Sequence, residues 1–315
     1  MISPIWFEGA AFLLGLIFGS FLNVCIARLP AHESLWKPRS HCRSCRATIA
    51  WYDNLPVLSW VLLRGKCRRC GAGISWRYPA VEVAVGLWFY VVAMRLMLML
   101  PSLVSTQTRY QAYAIYPPSF AYNLAVSTVV LGFLLIGLTV MDWQTHTLPN
   151  AFTITGIGIG FLLACVRVVF LGSHADEVIL HGRNPLSSPG NVVDAGNVVL
   201  TGPEHVVLGW LGAVVAAGCL LLVVRWVYLK LRGREGMGLG DAKLLAMIAA
   251  FLGFWPAMLA LFVGVVLCSA YAVTLMARGK AGAMTRLPLG TFLCLGGLVA
   301  ALVGTPVIAW YSSLL

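Results

Sequence analysis

Two aspartates stand where carboxylates are costly to keep. Asp142, in Val140-Met141-Asp142-Trp143, closes an apolar run that begins near Phe120. Asp241, in Gly238-Leu239-Gly240-Asp241-Ala242-Lys243, comes 99 positions later, just before another apolar run. An ionisable group at the edge of hydrocarbon points to a function. Two carboxylates that meet across a helical bundle can share a proton and activate water. The structural alternative for either one alone is a helix cap. Asp241 has further support from Gly238 and Gly240, which remove side chains beside it and permit close approach of another backbone. An extended substrate docked there makes both glycines candidate substrate contacts.

The second chemical signal is a cysteine quartet. Cys42-Arg43-Ser44-Cys45 and Cys67-Arg68-Arg69-Cys70 are two CxxC pairs with 21 residues between them. Each pair offers two thiolates on a tight turn, which suits tetrahedral zinc in a ribbon-like site. Arg43, Arg46, Arg68 and Arg69 favour the thiolate form. The alternative is four free thiols or a redox pair. Cys25, Cys165, Cys219, Cys268 and Cys294 sit singly in apolar runs and read as ordinary buried side chains. The segment 47–63 between the knuckles, with Trp51, Tyr52 and Trp60, either lies on a membrane surface with its rings at headgroup level or packs around the metal site.

The elements that must position these groups are membrane helices. Hydrophobic residues make up 60% of the 315 and charged residues 10%, with a mean hydropathy of +0.86. Soluble domains carry about 25% charged residues, so the chain reads as an all-α polytopic membrane protein. About 20 apolar residues cross a bilayer. That rule gives about eight transmembrane helices: Phe7–Ala27, Pro79–Leu100, Phe120–Met141, Ala151–Leu171, Val206–Tyr228, Lys243–Phe254, Pro256–Ala277 and Leu287–Tyr311. The sixth is short and forms a tight hairpin with the seventh at Trp255-Pro256; seven spans remain if that hairpin is re-entrant. The first run is followed by many others, so it is not read as a cleaved signal. Three regions follow: the first helix at 1–28, a tetracysteine domain at 29–78, and a membrane core at 79–315 with a polar, flexible outer loop at 172–205. No internal repeat is evident.

Charge sets the expected orientation. Residues 28–77 hold 10 of the 22 Lys and Arg and only two acids, Glu33 and Asp53. Further cations follow the fifth span (Lys230, Arg232, Arg234, Lys243) and the seventh (Arg278, Lys280, Arg286), whereas the intervening loops hold Arg109 and Arg183. The positive-inside rule makes the basic loops cytoplasmic. The amino terminus then faces out, and both aspartates lie at the cytoplasmic border. The net charge of +11 is explained by this topology and by attraction to anionic membrane lipids, without nucleic acid.

Six ordered stretches resemble bacterial type IV prepilin peptidases, the leader peptidase/N-methyltransferases of the GxGD class of intramembrane aspartyl proteases. They are Gly19-Ser20-Phe21-Leu22-Asn23-Val24 with Arg28-Leu29-Pro30; the four cysteines; Ile74-Ser75-Trp76-Arg77-Tyr78-Pro79 with Glu82; Asp142 with Leu148-Pro149; Glu235 to Leu244 around Gly238-Leu239-Gly240-Asp241; and Leu287-Pro288-Leu289-Gly290-Thr291-Phe292. Together they cover nearly the whole chain. The resemblance implies a bacterial inner-membrane enzyme whose substrates are prepilins and pseudopilins of type IV pili or type II secretion. It implies cleavage of the leader after a Gly at the cytoplasmic face, and methylation of the new amino terminus with S-adenosylmethionine. Asp142 and Asp241 are then the catalytic pair, one taking a proton from water while the other polarises the scissile carbonyl and protonates the leaving amine. Glu82 either contacts the substrate amine or pairs with Arg77. Asn150 departs from the family's usual Asp after Leu148-Pro149, and the outer loop is longer than is common. No Rossmann-type GxGxxG marks a site for the methyl donor, whose binding residues are unknown.

Two other classes compete. A transporter also uses intramembrane carboxylates, but at mid-membrane depth and often with repeat symmetry. A zinc-dependent scaffold explains the cysteines and leaves the aspartates idle. The six His residues show no HExxH spacing, and there is no GxSxG. His146 reads as part of a solvated loop.

Overall fold

The computed structural model describes residues 4–35, 40–104, 118–172, 203–233, 238–279 and 287–314. The helices are α1 (Pro4–Arg28), α2 (Leu58–Leu62), α3 (Arg77–Val104), α4 (Pro118–Thr145), α5 (Asn150–Gly172), α6 (Pro203–Arg232), α7 (Leu239–Leu252), α8 (Phe254–Ala277) and α9 (Leu289–Ser312), with a 3-10 turn at Trp51–Asn54. Among the described residues, extended pairing is limited to two isolated bridges, His41 with Thr48 and Lys66 with Gly73. The expected outer loop lies outside the described residues from 173 to 202, as do Arg109, Arg183, Arg234, Glu235 to Met237, Lys280 and Arg286.

Among the described residues, seven helices are long and apolar enough to cross a membrane: α1, α3, α4, α5, α6, α8 and α9. The eighth element, α7, has 14 residues, ten of them buried. At 1.5 Å per residue it is about 21 Å long, against a hydrocarbon core of about 30 Å. The expected short sixth helix is therefore present as a buried helix rather than a full span. Its break from α8 lies at Gly253, whose φ of 88° favours glycine, and not at Trp255-Pro256. Pro256 instead sits in the first turn of α8, where its missing N–H breaks no helical bond.

Close approach through small residues builds the bundle, as expected where lipid gives no hydrophobic drive to helix association. A Cβ on Gly19 of α1 would lie 2.6 Å from the Glu82 backbone of α3, and one on Gly296 of α9 would lie 2.2 Å from the Ala260 carbonyl of α8. Gly132 of α4 receives the indole of Trp88, whose Nε1 donates to the Thr128 carbonyl at 2.9 Å. Fully buried Leu131, Leu135 and Leu138 of α4, Leu244 and Ile248 of α7 and Leu293 of α9 belong to one apolar core that also takes in Leu22 of α1 and Val85 of α3. Of the single cysteines, Cys25, Cys268 and Cys294 are buried and Cys165 is half-buried. Cys219 is exposed on α6, beside exposed Leu220 and Leu222 that face outward, so for Cys219 the buried reading does not hold.

Candidate functional site

α4 ends and α7 begins at the same end of the bundle, and each carries one aspartate there. Asp142 is buried one turn before the end of α4. Its Oδ2 accepts the Thr291 N–H at 2.6 Å and the Thr291 hydroxyl at 2.8 Å, both from the first turn of α9. Asp241 is buried in the first turn of α7 and its Oδ2 accepts the Gly238 N–H at 3.2 Å. The first turn of a helix is the favourable place for a carboxylate, so this aspartate also closes the helix start in the way a cap does.

Leu148 joins the two. A Cβ on Gly240 would meet Leu148 Cδ1 at 3.1 Å, and one on Gly290 would meet Leu148 Cδ1 at 3.1 Å and Asp142 Oδ2 at 3.0 Å. The leucine thus occupies the space vacated by both glycines, with Asp142 against one and Asp241 following the other. Lys243 Nζ donates to Asn150 Oδ1 at 2.9 Å, tying the start of α7 to the start of α5. Asn150, the residue that departs from the family pattern, therefore still serves as an acceptor. Exposed His146 lies past the end of α4, where its N–H donates to the Asp142 carbonyl at 2.9 Å.

The glycines beside Asp241 differ. The Cα face of Gly240 is filled by Leu148, whereas a Cβ on Gly238 would find its nearest neighbour, Asp241 Oδ2, at 3.6 Å. Glu82 is buried near the start of α3. Its Oε2 accepts the Val57 N–H at 2.7 Å, tying the tetracysteine domain to α3, and it does not pair with Arg77. Thr291 lies in the Leu287 to Phe292 stretch, whose sequence assigns it no role. The only available signal was a hydroxyl at the start of an apolar run, 149 residues from its partner.

The four thiols converge. Sγ atoms of Cys42, Cys45, Cys67 and Cys70 all lie within 4.8 Å of one another, with Cys42 and Cys70 3.8 Å apart. Tetrahedral zinc with Zn–S of about 2.3 Å separates its sulfurs by about 3.8 Å, so the cage has the right size. Backbone N–H groups of Cys45 and then Ser44 lower the Cys42 thiol to about 6. The cage is built from a repeat that the sequence reading missed. Cys42 to Trp51 and Cys67 to Trp76 share Cys, Arg, Cys, Ala, Ile and Trp at an offset of 25. The backbone repeats too: Cys42 and Cys67 donate to Ala47 and Ala72 at 2.9 and 2.8 Å, and Arg46 and Gly71 both turn with positive φ. Between the knuckles, Arg68 forks onto Asp53, with Nη2 to Oδ1 at 2.6 Å and Nε to Oδ2 at 2.8 Å, and holds that carboxyl below its usual range.

A family profile described as the bacterial peptidase A24 N-terminal domain matches residues 13–96, which hold the four cysteines and Glu82. A second, the type IV leader peptidase family, matches residues 184–273, which hold Gly238, Gly240 and Asp241. Asp142 lies in neither stretch. The chain is 34% identical over 276 residues to a prepilin leader peptidase/N-methyltransferase of Myxococcus xanthus, a match covering 87% of this chain and 65% of that relative. Proteins of the same name from Pectobacterium carotovorum and Pseudomonas putida are 32% and 30% identical, covering 94% and 97% of this chain and 92% and 94% of theirs. No solved structure matches. On the Pectobacterium and Pseudomonas matches, which run over nearly the whole of both partners, the chain belongs to the type IV leader peptidase family.

Proposed function

We propose that the protein is a membrane aspartyl endopeptidase that removes the leader of type IV prepilins and pseudopilins after a Gly, and N-methylates the new amino terminus. The observation that carries the peptidase reading is the pair of buried aspartates gathered around Leu148 at one end of the bundle. One carboxylate takes a proton from water as it attacks the scissile carbonyl. The other, protonated, polarises that carbonyl and then delivers its proton to the leaving amine. Thr291 and Gly238 hold one oxygen of each acid in place, leaving the other oxygen of each for water and substrate.

Location follows from the same end of the bundle. Arg28, Arg77, Lys230, Arg232 and Arg278 end or start the helices there, so the aspartates face the cytoplasmic side of the inner membrane and the amino terminus lies outside. A prepilin's apolar helix can then lie among the spans while its polar leader stays in the cytoplasm. The scissile segment must be extended, because a helix hides its carbonyls in internal bonds. Gly238 offers it an open backbone edge, and Gly240 contributes to that edge through Leu148. A Glu82 contact to substrate would compete with the Val57 N–H that its Oε2 already accepts.

The cysteine cage holds zinc as a structural ion that fixes the two knuckles. S-adenosylmethionine supplies the methyl group when bound. The described residues offer no strand, Gly-rich turn and helix of the usual dinucleotide type, so methylation is carried by family membership rather than by this geometry. The test is prepilin processing in membranes bearing wild type, Asp142→Asn or Asp241→Asn, with product masses followed. Both variants are expected to leave the precursor uncut while folding normally. Normal cleavage by either one removes the dyad.

A further inference from the structure

The tetracysteine domain carries apolar side chains that nothing in the described chain covers. Trp51, Leu55, Leu58, Val61 and Leu62 are 75%, 42%, 53%, 57% and 71% exposed. On α2 the exposed positions follow the i, i+3, i+4 spacing of one helix face, Leu58, Val61 and Leu62. The opposite face is the one that packs. Trp60 Nε1 donates to the Ile74 carbonyl at 3.0 Å with its ring against Gly65, and buried Ser59 donates to the Tyr52 carbonyl at 3.0 Å. The metal site therefore uses one side of the segment and leaves the apolar side unpartnered.

A hydrogen bond ties that side to a membrane span. Val57, immediately before α2, has a φ of 59°, a left-handed conformation that is rare for a β-branched residue. Its N–H is held by Glu82 Oε2 at 2.7 Å. Glu82 is five residues into α3, whose membrane span begins at Arg77, or about 7 Å along the helix. The start of α2 is thus tied level with the first turns of a membrane span. Trp76, exposed and one residue before that span, and Trp51, exposed at the equivalent place of the repeat, are of the residue type that favours the headgroup layer. Arg64, Lys66 and Arg69 beside α2 are exposed cations, suited to anionic headgroups.

We propose that the face formed by Trp51, Leu55, Leu58, Val61 and Leu62 is a lipid-binding surface, inserted at the boundary between headgroups and acyl chains, that clamps the tetracysteine domain flat against the bilayer beside α3. This rests on the reading of the chain as a membrane protein and not on its peptidase chemistry. The test introduces p-benzoylphenylalanine at Leu62 in the full-length protein. The protein is held in nanodiscs of phosphatidylethanolamine and phosphatidylglycerol, irradiated, and its intact mass measured. Leu13, an exposed position of α1, serves as the span control. The expected result is a mass shift by one phospholipid at both positions. A lipid adduct at Leu13 with none at Leu62 overturns the proposal, as does crosslinking from Leu62 to a second copy or to added prepilin. If the Leu62 protein fails to elute as wild type on gel filtration, Val61 takes its place with the same outcomes. Because no cleavage is read, an inactive aspartate pair leaves the result intact.

Discussion

Replacing Thr291 by Val tests whether the geometry of the proposed catalytic pair is held by α9. Thr291 is buried and gives two donors to one oxygen of Asp142, the N–H at 2.6 Å and the hydroxyl at 2.8 Å. Valine keeps the β-branched shape and the N–H but replaces the hydroxyl with a methyl. A hydrogen bond to a charged group contributes about 1.5–3 kcal/mol, and its loss also frees Asp142 to rotate. If that contribution is realised in the transition state, kcat falls roughly 10- to 150-fold. KM should stay near wild type, because Thr291 positions the acid rather than touching substrate. Thr291→Ser restores the hydroxyl and should recover most of the rate, which a purely structural role would not produce. The assay is initial-rate cleavage of a prepilin by purified enzyme in proteoliposomes, repeated across pH. A Val variant with wild-type kcat refutes the reasoning, and so does a folded Ser variant as slow as Val.

Gly296→Ala places a methyl against the Ala260 carbonyl, backbone on backbone, so α8 and α9 must part; overpacking of this kind destabilises by about 1–3 kcal/mol, and an unchanged Tm in detergent would show that the crossing is looser than described. Cys42→Ser should lower bound zinc, measured by elemental analysis, from about one ion per chain; retention of the full complement would mean that the cage is not the site. Asp53, held low by Arg68, contributes stability above its unfolded pKa of about 3.9 and loses it as pH falls through its lower folded value. The Tm gap between wild type and Asp53→Asn should accordingly be constant near neutrality and close below about pH 4, whereas a gap that closes between pH 6 and 8 would assign the effect to another group. Asn150→Asp turns the exposed contact with Lys243 into an ion pair; it should add about 0–1 kcal/mol with cleavage rate unchanged, and a large drop in rate would place Asn150 in the catalytic machinery.

What the sequence disclosed depended on whether the signal was local. Asp142 and Asp241 stood out because each interrupts hydropathy at a helix end, and the four cysteines because CxxC is a contiguous pattern. The spans followed from apolar length, and even the shortness of the sixth was visible. Its break was misplaced because Trp255-Pro256 is a conspicuous dipeptide, while Gly253 signals only through its φ of 88°. The knuckle repeat was legible in principle, but Arg46 aligns with Gly71 and Thr48 with Gly73, which conceals the shared backbone. Thr291 on Asp142, Glu82 on Val57 and Leu148 between two glycines were not legible. Each depends on how distant helices register, and no window of sequence contains both partners.

The shortness of α7 bears on how the aspartates are held. The last four carbonyls of a helix lack partners within it, and inside a bilayer each must find one. α7 ends beside a cavity of about 350 Å³ lined in part by Ser127, Arg167 and Trp210. There Trp210 Nε1 donates to the Ala250 carbonyl at 2.9 Å, and Gly253 N–H donates to Ala249 at 2.8 Å. At the other end the Gly238 N–H meets Asp241 itself. The helix is thus held at both ends and buried along most of its length, so Asp241 shifts only with α7 or by breaking its bond to Gly238. Asp142 is fixed independently, from α9 through Thr291. Two acids held by two different helices keep their spacing only if those helices are locked to each other, and Leu148 with Gly240 and Gly290 supplies that lock. On the proposed mechanism, a site that must separate the roles of two like carboxylates needs this rigidity more than it needs additional groups.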